Sequence, residues 1–236
     1  MNNFKIKRGA YLLSKRIIEA IPPLRNLNDG RKKKVLDAKR ANLADHGLKD
    51  AEKICGILTE SGFTVVAMFG TLLGVVRDHK LIAHDDDMDF ALLMDSSFNW
   101  ADVEKAMINS GYEKIKQYEF RGEVVEQAYR AEGFSFDLFG FVPQGADDVY
   151  RTYFFKAEDY VSYNDASERT ARYLDVTVSN RVEYSKPQGY NIPIPSNYED
   201  VLVRVYGENW RVPVSGWVSG TGYTLVEDCF GICRAS

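Results

Sequence analysis

Four aspartates within five residues, Asp85, Asp86, Asp87 and Asp89, run straight into the apolar segment Met88–Met94 (MDFALLM). No other feature of the chain constrains its fold as much. The segment has the length and residue types of a buried strand, and aspartate is disfavoured in a strand unless something needs it there. Alternate residues of an extended chain share a face, so Asp85, Asp87 and Asp89 project together and Asp86 points away. Neighbours on that face lie roughly 6.5–7 Å apart at Cα, where two carboxylates repel by about 2 kcal/mol at an effective dielectric of roughly 20. Solvation makes that cost small. A Mg²⁺ ion between them reverses it, because Mg²⁺ takes hard oxygen ligands, a few carboxylates plus substrate phosphates. The alternative, a solvated acidic loop, fits poorly with the flanking LIA and FALLM.

The residues just upstream complete the picture. Phe63–Phe69 (FTVVAMF) is a short β-branched and aromatic run, a second buried strand, and Gly70-Thr71 ends it where helix formers begin. A glycine turn at a helix N-terminus presents backbone N–H groups and the positive end of the helix dipole, which suits a phosphate. Gly70, Gly74 and Arg77 then fall on one helical stripe. Gly74 lets the helix lie close to the sheet, and Arg77 either reaches a phosphate or braces the acids. A third carboxylate, Asp137, stands in the aromatic strand FSFDLFGF. A buried aspartate must be paired, hydrogen-bonded or metal-bound. If its strand neighbours Met88–Met94, it completes a three-carboxylate site opposite the phosphate-binding turn.

The chain of 236 residues, 45% hydrophobic and 27% charged, is long enough for a sizeable core. It has no apolar run of the roughly 18 residues that span a bilayer. The N-terminus has no apolar stretch ending in a small-residue cleavage site, so a cytoplasmic location is expected. Three cysteines and three histidines supply no zinc-spaced set, and Cys55 reads as a small buried hydrophobe. The net charge of −4 divides into +9 over residues 1–40 and −13 beyond, a basic segment joined to an acidic body that is not expected to grip nucleic acid.

Along the chain, Ile6, Ala10, Leu13, Ile17 and Ile21 mark a basic amphipathic helix ended by Pro22-Pro23. It either packs on its own domain or lies on an anionic membrane surface. A turn follows at Asn28-Asp29-Gly30, then one or two helices to Gly62. Asn99 or Ser97 caps a helix through Ser110. Tyr112–Phe120, Val124–Ala131 and Phe134–Val142 read as antiparallel strands. Residues 146–190 give no clear pattern, and Tyr150, Tyr153, Phe154, Tyr160 and Tyr163 there suit sugar stacking or the core. Ser196-Asn197-Tyr198-Glu199 forms a capping box for a helix that Gly207 closes, and the tail with Trp210, Trp217 and Tyr223 packs back on the body. The expectation is an α+β fold with a mixed sheet flanked by helices, organised as a basic helical segment (1–30) and one catalytic domain (31–236).

The string GTLLGVVR…LIAHDDDMDF closely resembles the LicD family of the nucleotidyltransferase-fold superfamily, whose usual pattern is GTLLG-x-x-R followed by I-P-W-D-D-D-x-D. FDLFGFVP resembles its second Asp strand, and IPIPSNYEDVLVRVYGENWRVP its C-terminal helix and tyrosine-glycine-x-x-tryptophan ending. The three motifs stand in the family's order over residues 62–213. The resemblance implies metal-dependent transfer of a phospho-alcohol, such as phosphocholine or ribitol phosphate, from a CDP-linked alcohol donor to a sugar hydroxyl of a surface polysaccharide or glycolipid. It assigns Mg²⁺ (or Mn²⁺) to Asp87 and Asp89 with Asp137 as third ligand or as catalytic base, and makes Asp85 an extra ligand or a further catalytic residue. Gly70, Thr71, Gly74, Arg77 and His84 form the substrate-binding set. Ala83-His84 replaces the family's Pro-Trp, which shifts the expected donor preference. The acceptor is a glycan or lipid-linked sugar, with residues 1–25 holding the enzyme peripherally at the inner face of the membrane. The alternative is a nucleotidyltransferase moving an NMP group onto a protein, small molecule or RNA. A binding protein that keeps only the fold has no physical need for so dense a set of carboxylates.

Overall fold

A computed structural model describes residues 22–145, 148–156, 162–163, 166–214 and 223–235. The basic helix expected over 6–21 and Trp217 lie outside them. The first element is a 39-residue helix, α1 (Pro22–Glu60). Its two prolines stand at the start, where a missing N–H costs nothing. The turn expected at Asn28-Asp29-Gly30 does not form. The helix runs through it, because an interior glycine costs only about 1 kcal/mol against alanine and Arg31–Lys34 are good helix formers. No break therefore marks residue 30. The second half of α1 packs through Leu43, Ala51, Ile54, Cys55 and Leu58, while residues 31–35 are exposed. Burial pushes the Cys55 thiol up. Gly62, at φ +90°, ends the helix in the left-handed region.

Nine strands form one mixed sheet. Strand β1 (Thr64–Ala67) pairs antiparallel with β2 (Asp87–Leu93), and β2 lies parallel to β5 (Ser135–Pro143). The elements between are the short helix α2 (Phe69–Leu73) with a π-helical continuation (Gly74–Asp78), and α3 (Trp100–Asn109). Asn99 is the cap of α3, its side-chain oxygen accepting from Ala101 N at 2.9 Å. The expected meander follows as β3 (Glu113–Phe120), β4 (Glu123–Arg130) and β5.

Sequence periodicity left residues 146–190 without assignment. They supply β6 (Val149–Lys156), β7 (Ser162–Tyr163), β8 (Ala166–Thr177) and β9 (Val182–Ser185). Strand β9 pairs with β10 (Ile192–Pro195), and α4 (Tyr198–Tyr206) follows. The tail forms β11 (Thr224–Ala235), inserted between β3 and β8. Strand β6 then closes back on the end of β5, so the sheet curls around its own inner face. Tyr118 stacks on Phe155 at 5.2 Å and Phe120 on Tyr153 at 4.4 Å inside the curl. Tyr150 is buried, and Tyr160 and the Tyr163 side chain lie outside the described residues.

The capping box at Ser196–Glu199 is not made. Asn197 is the cap residue and bonds no helix N–H through its side chain. Its amide bridges Ser179 N and Thr177 O instead, and Ser196 Oγ bonds Ser179 Oγ. These side chains tie α4 to the end of β8, and Glu199 pairs with Arg211. No helix among the described residues is long and apolar enough to cross a membrane.

A Cβ on Gly231 in β11 falls 1.9 Å from Phe155 Cε1, inside the curl. Gly231→Ala is expected to cost about 1–3 kcal/mol by overpacking. At ~2–4 °C per kcal/mol, a thermal scan against the unsubstituted chain reads this directly.

Candidate active site

The turn after β1 builds the site floor. Phe69 opens α2 rather than closing β1 as its residue type suggested. It does so at φ 47°, a left-handed conformation that costs a non-glycine residue about 1–3 kcal/mol and clusters at functional sites. Its ring is wedged edge-on against Phe139 (5.2 Å) and Phe154 (5.3 Å), packing that holds the turn in place. Gly70 comes next. A Cβ there would lie 2.6 Å from Asp85 Oδ2 and 4.0 Å from Asp89 Oδ2, so a side chain at this position would push the Asp85 carboxylate off the turn.

The rest of the GTLLGVVR segment braces this arrangement. Thr71 is buried, and its Oγ1 accepts from Asp89 N at 2.9 Å, while Met68 N donates to Asp89 O at 3.0 Å. Both backbone groups of Asp89 are thereby fixed to the turn. Gly74 passes under the incoming loop, where a Cβ would meet Lys80 O at 2.6 Å and Ile82 N at 3.1 Å. Arg77 grips Asp78 with two bonds of 2.8 and 2.7 Å and still lines the cavity described below. Thr71 and Gly74 thus shape the site, while Gly70 and Arg77 face it.

Strand β2 begins at Asp87, so Asp85 reaches the site from a loop and not from the strand face expected for it. Asp86 turns away to Lys39 of α1, 3.5 Å distant. The condition set for Asp137 is met. In the parallel β2–β5 pair Asp89 stands opposite Asp137, and Asp87 opposite Ser135. His84 is exposed, with Nε2 3.9 Å from Asp85 Oδ1.

Sequence reading missed Lys116. From β3 its Nζ approaches Asp137 Oδ2 to 3.9 Å and lies 5.1 Å from the Tyr118 ring centroid. The signal for it was the alternation of Lys116, Tyr118 and Phe120, which puts a lysine on an otherwise aromatic face.

Burial dominates the electrostatics. It raises the Asp89 carboxyl well above the usual range, and the neighbouring charges of Asp87, Asp137 and Asp85 raise it further. Asp87 is pushed up to about 7, by burial first and then by Asp137, Asp86 and Asp85. Asp137 is raised because its burial outweighs the pull of Lys116 and Lys39. Burial also raises Asp85. Burial lowers the Lys116 ammonium, but Asp137, Tyr118 and Glu126 more than reverse this and leave it raised.

A cavity of about 380 Å³ opens over the acids. It is lined by Gly70, Arg77, His84, Asp85, Asp87 and Asp89, and by the rings of Phe139, Phe154, Tyr206, Trp210 and Tyr223. Among the described residues, no three His, Cys, Asp or Glu side chains form a ready-made metal cage. Mg²⁺ does not require one, since it is held by one or two carboxylates plus substrate phosphates. An all-oxygen donor set, with more negative charge than the nearby lysines offset, fits a hard divalent cation completed by substrate.

A mixed sheet that presents acids in this way beside a strand, glycine turn and helix defines a transferase of the nucleotidyltransferase fold. Comparison with known families narrows the class. The family model described as LicD/FKTN/FKRP, nucleotidyltransferase domain, matches residues 62–197, more than half of the chain, and the chain belongs to that family. No curated protein matches it. Membership implies phospho-alcohol transferase-like activity in glycan modification.

The raised acids have a consequence for stability. Asp87 titrates near 7 in the folded chain against an ordinary 3.8, so its protonated form stabilises the fold fully below the ordinary value. That contribution is lost as pH rises through the folded one. In EDTA the melting temperature is therefore expected to fall between about pH 4 and 7. Asp87→Asn should flatten this fall and melt higher than the unsubstituted chain at pH 8, as thermal scans across pH will read.

Proposed function

We propose that the protein transfers a phospho-alcohol from a CDP-linked donor to a sugar hydroxyl of a surface glycan or glycolipid, with Mg²⁺ or Mn²⁺. The observation that carries this reading is the register of Asp89 against Asp137 beside the Gly70 turn. It sets three half-buried acids next to a cavity that Arg77 and several aromatic rings also line. Asp87 and Asp89 would hold the metal, with Asp137 as a third ligand or as base, and Asp85 would add to the set from its loop. The bound cation screens the diphosphate and the charge that develops during transfer.

Gly70 brings the backbone close to the donor phosphates at the start of α2. Arg77 supplies the N–H groups not spent on Asp78, and His84 lies at the rim. The sugar hydroxyl loses its proton to Asp137 while its oxygen bonds to the phosphorus that carries the alcohol. The bridging P–O bond breaks, and CMP leaves with the electron pair. Thr71 keeps Asp89 in place throughout by its bond to the backbone. The exposed Arg31–Lys34 of α1 add to the basic residues before them in the sequence, which supports peripheral association with an anionic membrane at its inner face.

Melting-temperature shifts with CDP-choline, CDP-ribitol, CDP-glycerol, CTP and UDP-glucose, each with and without Mg²⁺, test the donor. Ligand at about 100 times its Kd should stabilise by about 2.7 kcal/mol. The expected result is a Mg²⁺-dependent shift with a CDP-alcohol that is absent in Asp87→Asn. Asp137→Asn should reduce transfer about 10²–10⁴-fold, the range for loss of a proton-accepting group. Shifts with CTP alone, with pyrophosphate as product, would replace this reading by nucleotidyl transfer.

A further inference from the structure

Among the described residues, Lys116 stands beside the acids and has no task in the transfer chemistry. Lys116 projects from β3 onto the face that carries Asp137, with Ala128 of β4 between them. Its 3.9 Å approach to Asp137 Oδ2 is an ion pair but too long for a hydrogen bond. Its contact with Tyr118 OH is 3.4 Å, at the weak end of the range. An ammonium has three donors, and the Lys116 side chain is only 34% exposed. A cation this enclosed ordinarily spends its donors on acceptors. The Tyr118 ring, itself stacked on Phe155, keeps the ammonium beside the acids.

The geometry of transfer says which substrate this flank faces. Attacking and leaving oxygens lie roughly in line across the phosphorus. The cavity wall includes Gly70, Arg77, Asp85, Asp87 and Asp89 but neither Asp137 nor Lys116. A donor seated in the cavity leaves the Asp137–Lys116 flank to the acceptor. Lys39 of α1, 3.5 Å from Asp86, adds a second positive charge that acts on Asp137.

We infer that this flank binds an anionic acceptor, a saccharide bearing a carboxylate or a phosphate, with Lys116 holding the anion and Asp137 facing the hydroxyl. The inference rests on the transfer reading for calling the ligand an acceptor. The anion site itself is read by binding. Isothermal titration of the full chain with glucuronic acid, glucose 6-phosphate and glucose, in excess CMP and Mg²⁺ to fill the donor side, tests it. At least one anionic sugar should bind tenfold or more tightly than glucose, and the two arms tell carboxylate from phosphate.

Lys116→Met should abolish that preference and Lys116→Arg restore part of it. Lys114→Met, whose ammonium is bound to Glu104 at 2.6 Å, should retain it. Equal binding of all three sugars to the unsubstituted chain would overturn the inference whether or not the variants fold. So would a preference that survives Lys116→Met. A preference that Lys116→Met removes, in a chain that transfers from no CDP-alcohol, would uphold the anion site while the transfer reading falls.

Discussion

The structure depends on a single pairing of like charges. Asp89 and Asp137 stand opposite each other on parallel neighbouring strands, both half-buried, with Asp87 one step along. Three half-buried carboxylates side by side oppose folding, since loss of solvent raises the pKa of each and neighbouring acids add to it. The surrounding apolar packing offsets the cost. Met88, Phe90 and Leu92 alternate with the acids along β2, and Phe136 and Leu138 flank Asp137; all five are fully buried. A core this dense lets a fold carry an unfavourable polar cluster.

The turn before α2 translates that pairing into a site. It contains a left-handed phenylalanine, a glycine without space for a Cβ and a threonine whose hydroxyl is committed to the backbone of Asp89. Each is a local concession to tertiary geometry. The strain at Phe69 is held by rings from β5 and β6. Those same rings line the cavity, so the site and the core share their supports.

Much of the site was legible because its chemistry is local. Asp87 and Asp89 alternate on one strand, and Gly70, Gly74 and Arg77 share one stripe of a short helix, so periodicity alone groups them. Asp137 was legible as a buried acid in an aromatic run. Lys116 was not singled out, because its importance comes from a neighbour two strands away, across Ala128. Asp85 was placed on a strand face by alternation, but the strand starts two residues later and a loop delivers it. The fold divides in the same way. The meander over 112–142 carries turn signals at Gly122 and Gly133, both with positive φ. Strands β6, β8 and β11 carry charged and tyrosine side chains that blur alternation, and only their pairing around the curl gives those side chains an inside.

The sequence by itself determined the acids, the glycine turn and the family, since each is written within a span short enough for local geometry to act. It also set the helical register of α3 and the β-propensity of the central strands. Tertiary structure decided that Asp137 faces Asp89, and that Ser196 and Asn197 bond to the end of β8 in place of capping α4. It also brought the C-terminal strand between β3 and β8. The reason is the same in each case. These outcomes depend on contacts between residues far apart in the chain, and such contacts outweigh local preferences worth about 1 kcal/mol each.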